Sequence, residues 1–314
     1  MGAYLVRRFL LMVLTLFGMS VLIFVMLRLV PGNIADILVD ASGSDPKEKA
    51  KIARELGIDR PIAEQYISWI SGLSHGDLGY AYVSERPAIE EIAPRIPISA
   101  KLAGMAVLIS VLLGVPFGVI SAVRQNSSLD YFLRVLSLSG LSLPSFWLGL
   151  LVLMASVHWF GTIPIYDSNP HGFMQDVAML GLPALVVGFR SSALIMRLTR
   201  SSMLEVLRQD YVRTARSKGA STNSVNYDHA LRNALLPVVT IIGIEAAFLV
   251  GGLIVTETVF NIPGVARFLV EAILWRDYPI VQNLVMLIAF VVVMVNFLVD
   301  MAYMALDPRI KYAE

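Results

Sequence analysis

The chain has 314 residues, of which 56% are hydrophobic and 16% charged, with a mean hydropathy of +0.69. Soluble domains carry about 25% charged residues, so this chain has too much apolar surface for one water-facing core, and the bilayer is its expected solvent. A net charge of +1 gives no electrostatic reason to expect nucleic acid as a partner. The absence of cysteine excludes disulfides, thiolate catalysis and Cys-based metal sites. The four histidines, His75, His158, His171 and His229, are scattered and form no HExxH or other close pair.

A spanning helix needs about 20 apolar residues to cross a hydrocarbon core about 30 Å thick. Residues 9–27, 102–123, 135–156 and 280–299 are uncharged throughout. Residues 177–196 and 234–256 are apolar but carry Arg190 and Glu245. The expectation is an all-α integral membrane protein with six transmembrane helices and both termini on one side. Lys and Arg in the short connections set the side. With the N-terminus inside, the inner segments hold Arg7, Arg8, Arg124, Arg134, Arg197, Arg200, Arg208, Arg213, Arg216, Lys218, Arg232, Arg309 and Lys311. The short outer segments hold only Arg267 and Arg276, which predicts cytoplasmic N- and C-termini. The first apolar run is longer than a signal-peptide core and is followed by no small-x-small cleavage pattern, so it reads as an uncleaved helix.

The segment after the first span, residues 31–97, is too long for a bare connector. Residues 45–58 open on Asp45 and Pro46 and close on Gly57, as a capped helix does. Residues 61–73 predict a second helix with Ile62, Tyr66, Trp69, Ile70 and Leu73 on one face, and residues 87–96 a third. Two readings fit this extended outer loop: a cap at the lipid headgroups anchored by Trp69 and Tyr66, or a docking surface for an external partner. Further along, Asn261, Pro263 and Gly264 mark a turn, and residues 265–275 a short amphipathic helix.

The most informative stretch is residues 205–237, EVLRQDYVRTARSKGASTNSVNYDHALRNALLP. The spacing predicts a helix over 203–218 with Leu204, Leu207, Tyr211 and Ala215 on one stripe and Arg208, Arg213 and Arg216 near its edges. Gly219 suits the left-handed position after a helix end. Ser221 or Thr222 caps a second helix, and Pro237 allows a bend into the fifth span. The pattern fits a helix lying on the membrane and a helix gripped by another protein equally well.

The segment DYVRTARSKGAS…HALRNALLP resembles the EAA loop of the membrane subunits of bacterial ABC importers, and within them the branch that imports dipeptides, oligopeptides and nickel. YLVRRFLLMVLTLFGMSVLIFVMLRLVPGN, LGIDRPIAEQYISWISGLSHGDLGY, TETVFNIPGVARFLVEAILWRDYPIVQ and the terminal LDPRIKY resemble other signatures of that branch in the same order. The resemblance implies a type I (MetI-like) ABC importer permease fold with an extended periplasmic loop. It divides the chain into residues 1–97, a first span plus that loop; 98–305, a five-helix permease core with a coupling loop at 203–235; and 306–314, a cytoplasmic tail.

The resemblance also implies partners: a second homologous permease, two ABC ATPase subunits and an extracytoplasmic solute-binding protein, all at a bacterial inner membrane. Tyr211, Arg213, Thr214, Ala215 and Gly219 would then form the ATPase-coupling helix. Arg213 and Thr214 stand where Glu-Ala is usual. The chain has no GxxxxGK[ST] and holds no P-loop of its own, so ATP and Mg belong to the ATPase partners and this subunit binds no cofactor. Di- or oligopeptides are the cargo the resemblance implies, with nickel or another small solute as the alternative.

Charges at bilayer depth are costly and mark functional positions by default. Arg190 and Glu245 are therefore candidate pathway residues that contact cargo or pair with each other. The alternatives are snorkelling of Arg190 to the headgroups and a structural hydrogen bond for Glu245. An ion-driven secondary transporter would call for several intramembrane acidic residues and paired broken helices. A membrane enzyme would call for a nucleophile–base set, which is not apparent. A bare scaffold leaves the capped helix pair unexplained.

Overall fold

The structure, a computed structural model, describes residues 2–29, 54, 57, 59–161, 166–167 and 172–306. Among them it is helical, with one isolated β-bridge between Tyr80 and Pro87. In chain order the helices are α1 (Gly2–Leu29), α2 (Ile62–Ser74), α3 (Ala88–Ile92), α4 (Ile96–Val123), α5 (Ser128–Ser142), α6 (Ser145–Phe160), α7 (Phe173–Val206), α8 (Asp210–Ser217), α9 (Arg232–Val259), α10 (Val265–Leu274) and α11 (Tyr278–Leu306). A 3-10 turn (Ala93–Arg95) joins α3 to α4, and a π-helical segment (Ser224–Leu231) runs directly into α9. The expected helix over 45–58 lies outside the described residues, apart from Arg54 and Gly57, as does the tail from 307.

Among the described residues five helices are long and apolar enough to cross a membrane, and six when α5 and α6 count together. The chain is an all-α integral membrane protein. The sequence expectation of one straight span over 135–156 is corrected here: α5 and α6 meet at 108°. The reason is Pro144, which pushes the residue before it out of helical geometry. Leu143 is extended at φ −82°, ψ 131°. Two other expectations change. Pro237 does not separate the hairpin from the fifth span but sits inside α9, which already begins at Arg232. The predicted helix over 203–218 is in fact the end of α7, a turn at 207–209, and the separate α8.

By contacts the chain forms two units, 100–262 with 294–314, and 2–99 with 263–293. In the first, α4 and α7 run in the same direction with glycines at their contact. A Cβ on Gly188 would meet Ala106 O at 2.7 Å, one on Gly114 would meet Ile195 Cγ2 at 2.7 Å, and one on Gly118 would meet Thr199 Cβ at 2.5 Å. Small residues are what allow helix backbones to approach this closely in lipid. Lys101 Nζ reaches Asp176 Oδ2 at 2.7 Å near the starts of the two helices. On α9, Gly243 is likewise filled by Val299 of α11.

In the second unit, the sequence reading of Trp69 and Tyr66 as headgroup anchors is corrected. Trp69 is buried, stacks on Phe24 of α1 with centroids 6.0 Å apart, and donates from Nε1 to Asn283 Oδ1 at 3.0 Å. Tyr66 meets Phe24 edge-on, and its hydroxyl pairs with Ser20 at 2.9 Å. The apolar face of α2 thus packs on α1, while Ile62 stays exposed. Asn283 Nδ2 in turn donates to Leu78 O at 2.7 Å. Asp277 is buried, and burial pushes its carboxyl above the usual range although the backbone N–H groups of Val83 and Ile280 donate to it.

The glycine contacts generate a prediction. Gly118→Leu forces the α4–α7 contact apart and is expected to cost about 1–3 kcal/mol. Gly104→Ala, on the same helix with nothing within 4 Å of its new Cβ, is expected to be neutral or slightly stabilising. Thermal melts of the two detergent-solubilised variants check the difference.

Candidate functional site

The connection between α7 and α9 is polar, basic and built as a helical hairpin. Helix α7 gives way after Leu207, whose backbone is still helical: Arg208 N donates to Glu205 O and Gln209 N to Val206 O in a tight turn, and Gln209 is extended at ψ 148°. Asp210 then sits in the first turn of α8, where a carboxylate complements the helix dipole.

The predicted stripe is split by this turn. Leu204 and Leu207 pack with Met203, Val119, Ala122, Ala230 and Ala234. On α8 the buried anchor is Val212, fully enclosed, which the sequence stripe did not include. The new helix starting at Asp210 resets the phase, and the turn residues 207–209 carry no Gly or Pro to mark that reset.

The five predicted coupling residues lie together on this hairpin. Tyr211 is 44% exposed; its hydroxyl accepts from Asn233 Nδ2 at 2.8 Å and donates to His229 O at 3.4 Å, tying α8 to the returning helical arm of the hairpin. Arg213 is exposed beside Asp210, 3.8 Å away, a surface pair worth little in energy. Thr214 is exposed and donates back to Asp210 O at 3.0 Å. Ala215 is half-buried.

Gly219 has φ +85°, as its position predicts. Ala220 N donates to Ala215 O at 3.2 Å and Gly219 N to Arg216 O at 3.0 Å, the two bonds of a Schellman end. Ser221 caps the next helix, accepting from Ser224 N at 3.3 Å. A π-helical run follows at Ser224–Leu231, a geometry that recurs at functional sites. The result is a short helix presenting Arg213, Thr214, Arg216 and Lys218 outward on a fixed base.

Arg190 is exposed on α7, and Glu245 is half-buried on α9. No ion pair joins them, which removes the expectation that they neutralise each other; neither has a charged partner among the described residues.

The cluster that sequence reasoning missed lies at the base of the hairpin. Asp130, at the start of α5, has no solvent exposure. Arg200 of α7 grips it with a fork, Nε to Oδ1 and Nη2 to Oδ2, both at 2.9 Å. Ser121 Oγ of α4 donates to Oδ1, and Asn126 N to Oδ2 at 2.9 Å. Arg134 Nε stands 3.5 Å from Oδ1. Ser127 caps α5 by accepting from Asp130 N at 3.2 Å. The pattern Ser127-x-x-Asp130 is a capping-box signature that hydropathy scanning passed over.

The fold and this hairpin define a multi-pass helical membrane permease. The chain belongs to the family of binding-protein-dependent transport system inner membrane components, whose sequence pattern matches residues 114–312. The pattern for the N-terminal part of such membrane components matches residues 1–103.

Among curated relatives, the dipeptide transport system permease protein DppB of Escherichia coli (strain K12) is 40% identical over an alignment of 334 positions, covering 98% of each chain. The di/tripeptide transport system permease protein DppB of Pseudomonas aeruginosa (strain UCBPP-PA14) is 37% identical over 99% of each. Among solved structures, an inward-facing MetNI methionine ABC transporter matches with a TM-score of 0.59 at 17% identity, covering 70% of this chain and 98% of that one. An amino acid ABC transporter matches with a TM-score of 0.53 at 16% identity, covering 76% and 98%. At that identity these two establish the shared fold alone.

The glycine end of α8 is testable by itself. Gly219→Ala finds open space for its methyl, so the cost is backbone strain alone, about 1–2 kcal/mol. Hydrogen exchange is expected to speed up at the amides of 219–220 and leave α7 and α9 protected.

Proposed function

We propose that this chain is one of two homologous permease subunits of an ATP-driven importer that takes up di- or oligopeptides delivered by an external solute-binding protein. In this reading α8 is the coupling helix, with Tyr211, Arg213, Thr214, Ala215 and Gly219 at the surface of a cytoplasmic ATPase subunit. Residues 98–305 form the permease core, and the segment up to 97 supplies the first span and an extracytoplasmic platform. ATP and Mg are bound and spent by the two ATPase partners. Both termini lie in the cytoplasm of a bacterial inner membrane. The observation that carries the proposal is the hairpin itself: a short basic helix with one buried anchor, Val212, and a glycine-terminated end, with its charged side chains exposed. The near-full-length similarity to peptide permeases supports the cargo class.

The hairpin works as a lever in this scheme. Closure of two nucleotide domains displaces α8, and a rigid helix bonded back to His229 and Asn233 passes that displacement on instead of folding away.

Two experiments test the proposal. The wild-type chain, expressed with its neighbouring transport genes, is expected to retain ATPase subunits on purification, and Ala215→Asp or Gly219→Pro to lose about tenfold of them, the factor that 1.4 kcal/mol carries. Peptide uptake that persists after the ATPase is inactivated would reject the reading.

Arg190 and Glu245 are proposed to face the translocation path, where a charge within an apolar span acts on a charged peptide end. Glu245→Gln and Arg190→Leu are expected to shift the preference among peptides of different terminal charge in uptake competition. An unchanged preference removes both from the path.

A further inference from the structure

The buried ion cluster at the base of the hairpin does work that neither the coupling helix nor the glycine contacts account for. Three stretches of chain converge on one carboxylate: the end of α4 through Ser121, the α4–α5 turn through Asn126, and the inner part of α7 through Arg200. Asn126 is held at φ +63°, a conformation that costs an L-residue energy and that persists here with its N–H aimed at Asp130. Arg200 stands six residues before the end of α7 and ten before Asp210, the first residue of α8.

The hairpin is tied on its other side as well. Ser202 Oγ donates to Ala234 O at 2.9 Å, and Met203 packs with Ala230, Ala234, Val119 and Ala122. A displacement of α8 therefore has no soft joint at this base in which to dissipate. A set of charges is also a costly way to obtain stability alone, since apolar replacements of buried ion pairs are often at least as stable. What a forked, fully bonded carboxylate provides is a single register among the groups it joins.

We infer that Asp130 and Arg200 are positioning residues for coupling: they lock the α8-bearing end of α7 to the end of α4 and the start of α5, so that movement of the coupling helix is delivered to those helices together. This rests on the proposed ATP-driven import. It assigns the delivery step to a site that touches neither ATPase nor cargo.

The test uses the whole transporter, assembled in proteoliposomes with its ATPase and binding-protein partners, and reads peptide imported per ATP hydrolysed. Asp130→Asn and Arg200→Lys are expected to assemble and hydrolyse ATP while import per ATP falls by about fivefold or more. Arg200→Lys keeps the charge but loses the fork, which keeps the test decisive where Asp130→Asn assembles poorly. The double variant is expected to be no worse than the more affected single, because both act through one joint. An unchanged ratio in Arg200→Lys, or a double variant whose loss is the product of the two singles, overturns the inference. A wild-type complex without ATP-driven import instead overturns the proposed function and leaves a different signature.

Discussion

The foot of the hairpin is organised around one carboxylate that is held out of water. Asp130 is fully enclosed, and an isolated buried charge is not tolerated without partners. Here Arg200, Ser121 and the Asn126 amide supply them, with Arg134 nearby. Removing one partner from such a set typically costs about 3–5 kcal/mol, a large share of any domain's stability. The elements that meet there are therefore obliged to stay together: α4, the turn after it, α5 and α7. The hairpin carrying α8 grows directly out of this fixed point.

The α4–α7 contact shows a second constraint of the same kind. In lipid there is no hydrophobic gain from bringing two greasy helices together, so close packing must supply the attraction. Gly114, Gly118 and Gly188 let the backbones approach, and the Lys101–Asp176 pair sits near the opposite end from Arg200. The two helices are thus joined by a charge pair near their starts, by shape between, and at the far end through Asp130 of α5, which Arg200 and Ser121 both bond.

Much of this was legible in the chain. Apolar length predicted the spans, and Gly219 after a basic helix predicted the left-handed end that the structure has. What escaped had specific causes. Hydropathy averaging hid the break at Pro144, because the proline lies among leucines and serines that keep the window apolar. Periodicity carried across 207–209 misphased α8 and overlooked Val212, since a turn without Gly or Pro leaves no mark in the pattern. Trp69 and Tyr66 looked like interfacial aromatics by composition, yet Trp69 found a buried acceptor in Asn283, 214 residues away, and no local pattern reports that. Arg200 counted only as a topogenic charge, although its partner lay 70 residues earlier.

The right-angled meeting of α5 and α6 has its own chemical consequence. Helix α6 begins after Pro144 with no side chain capping its first amides, so a set of N–H donors at that end remains to be satisfied. Hydrocarbon offers such donors nothing, and backbone of this kind survives at membrane depth only against protein or water. The elbow at Pro144 thus differs from an unbroken span, whose interior amides are all bonded within the helix, and its donors are satisfied by protein or water rather than by lipid wherever they lie at membrane depth.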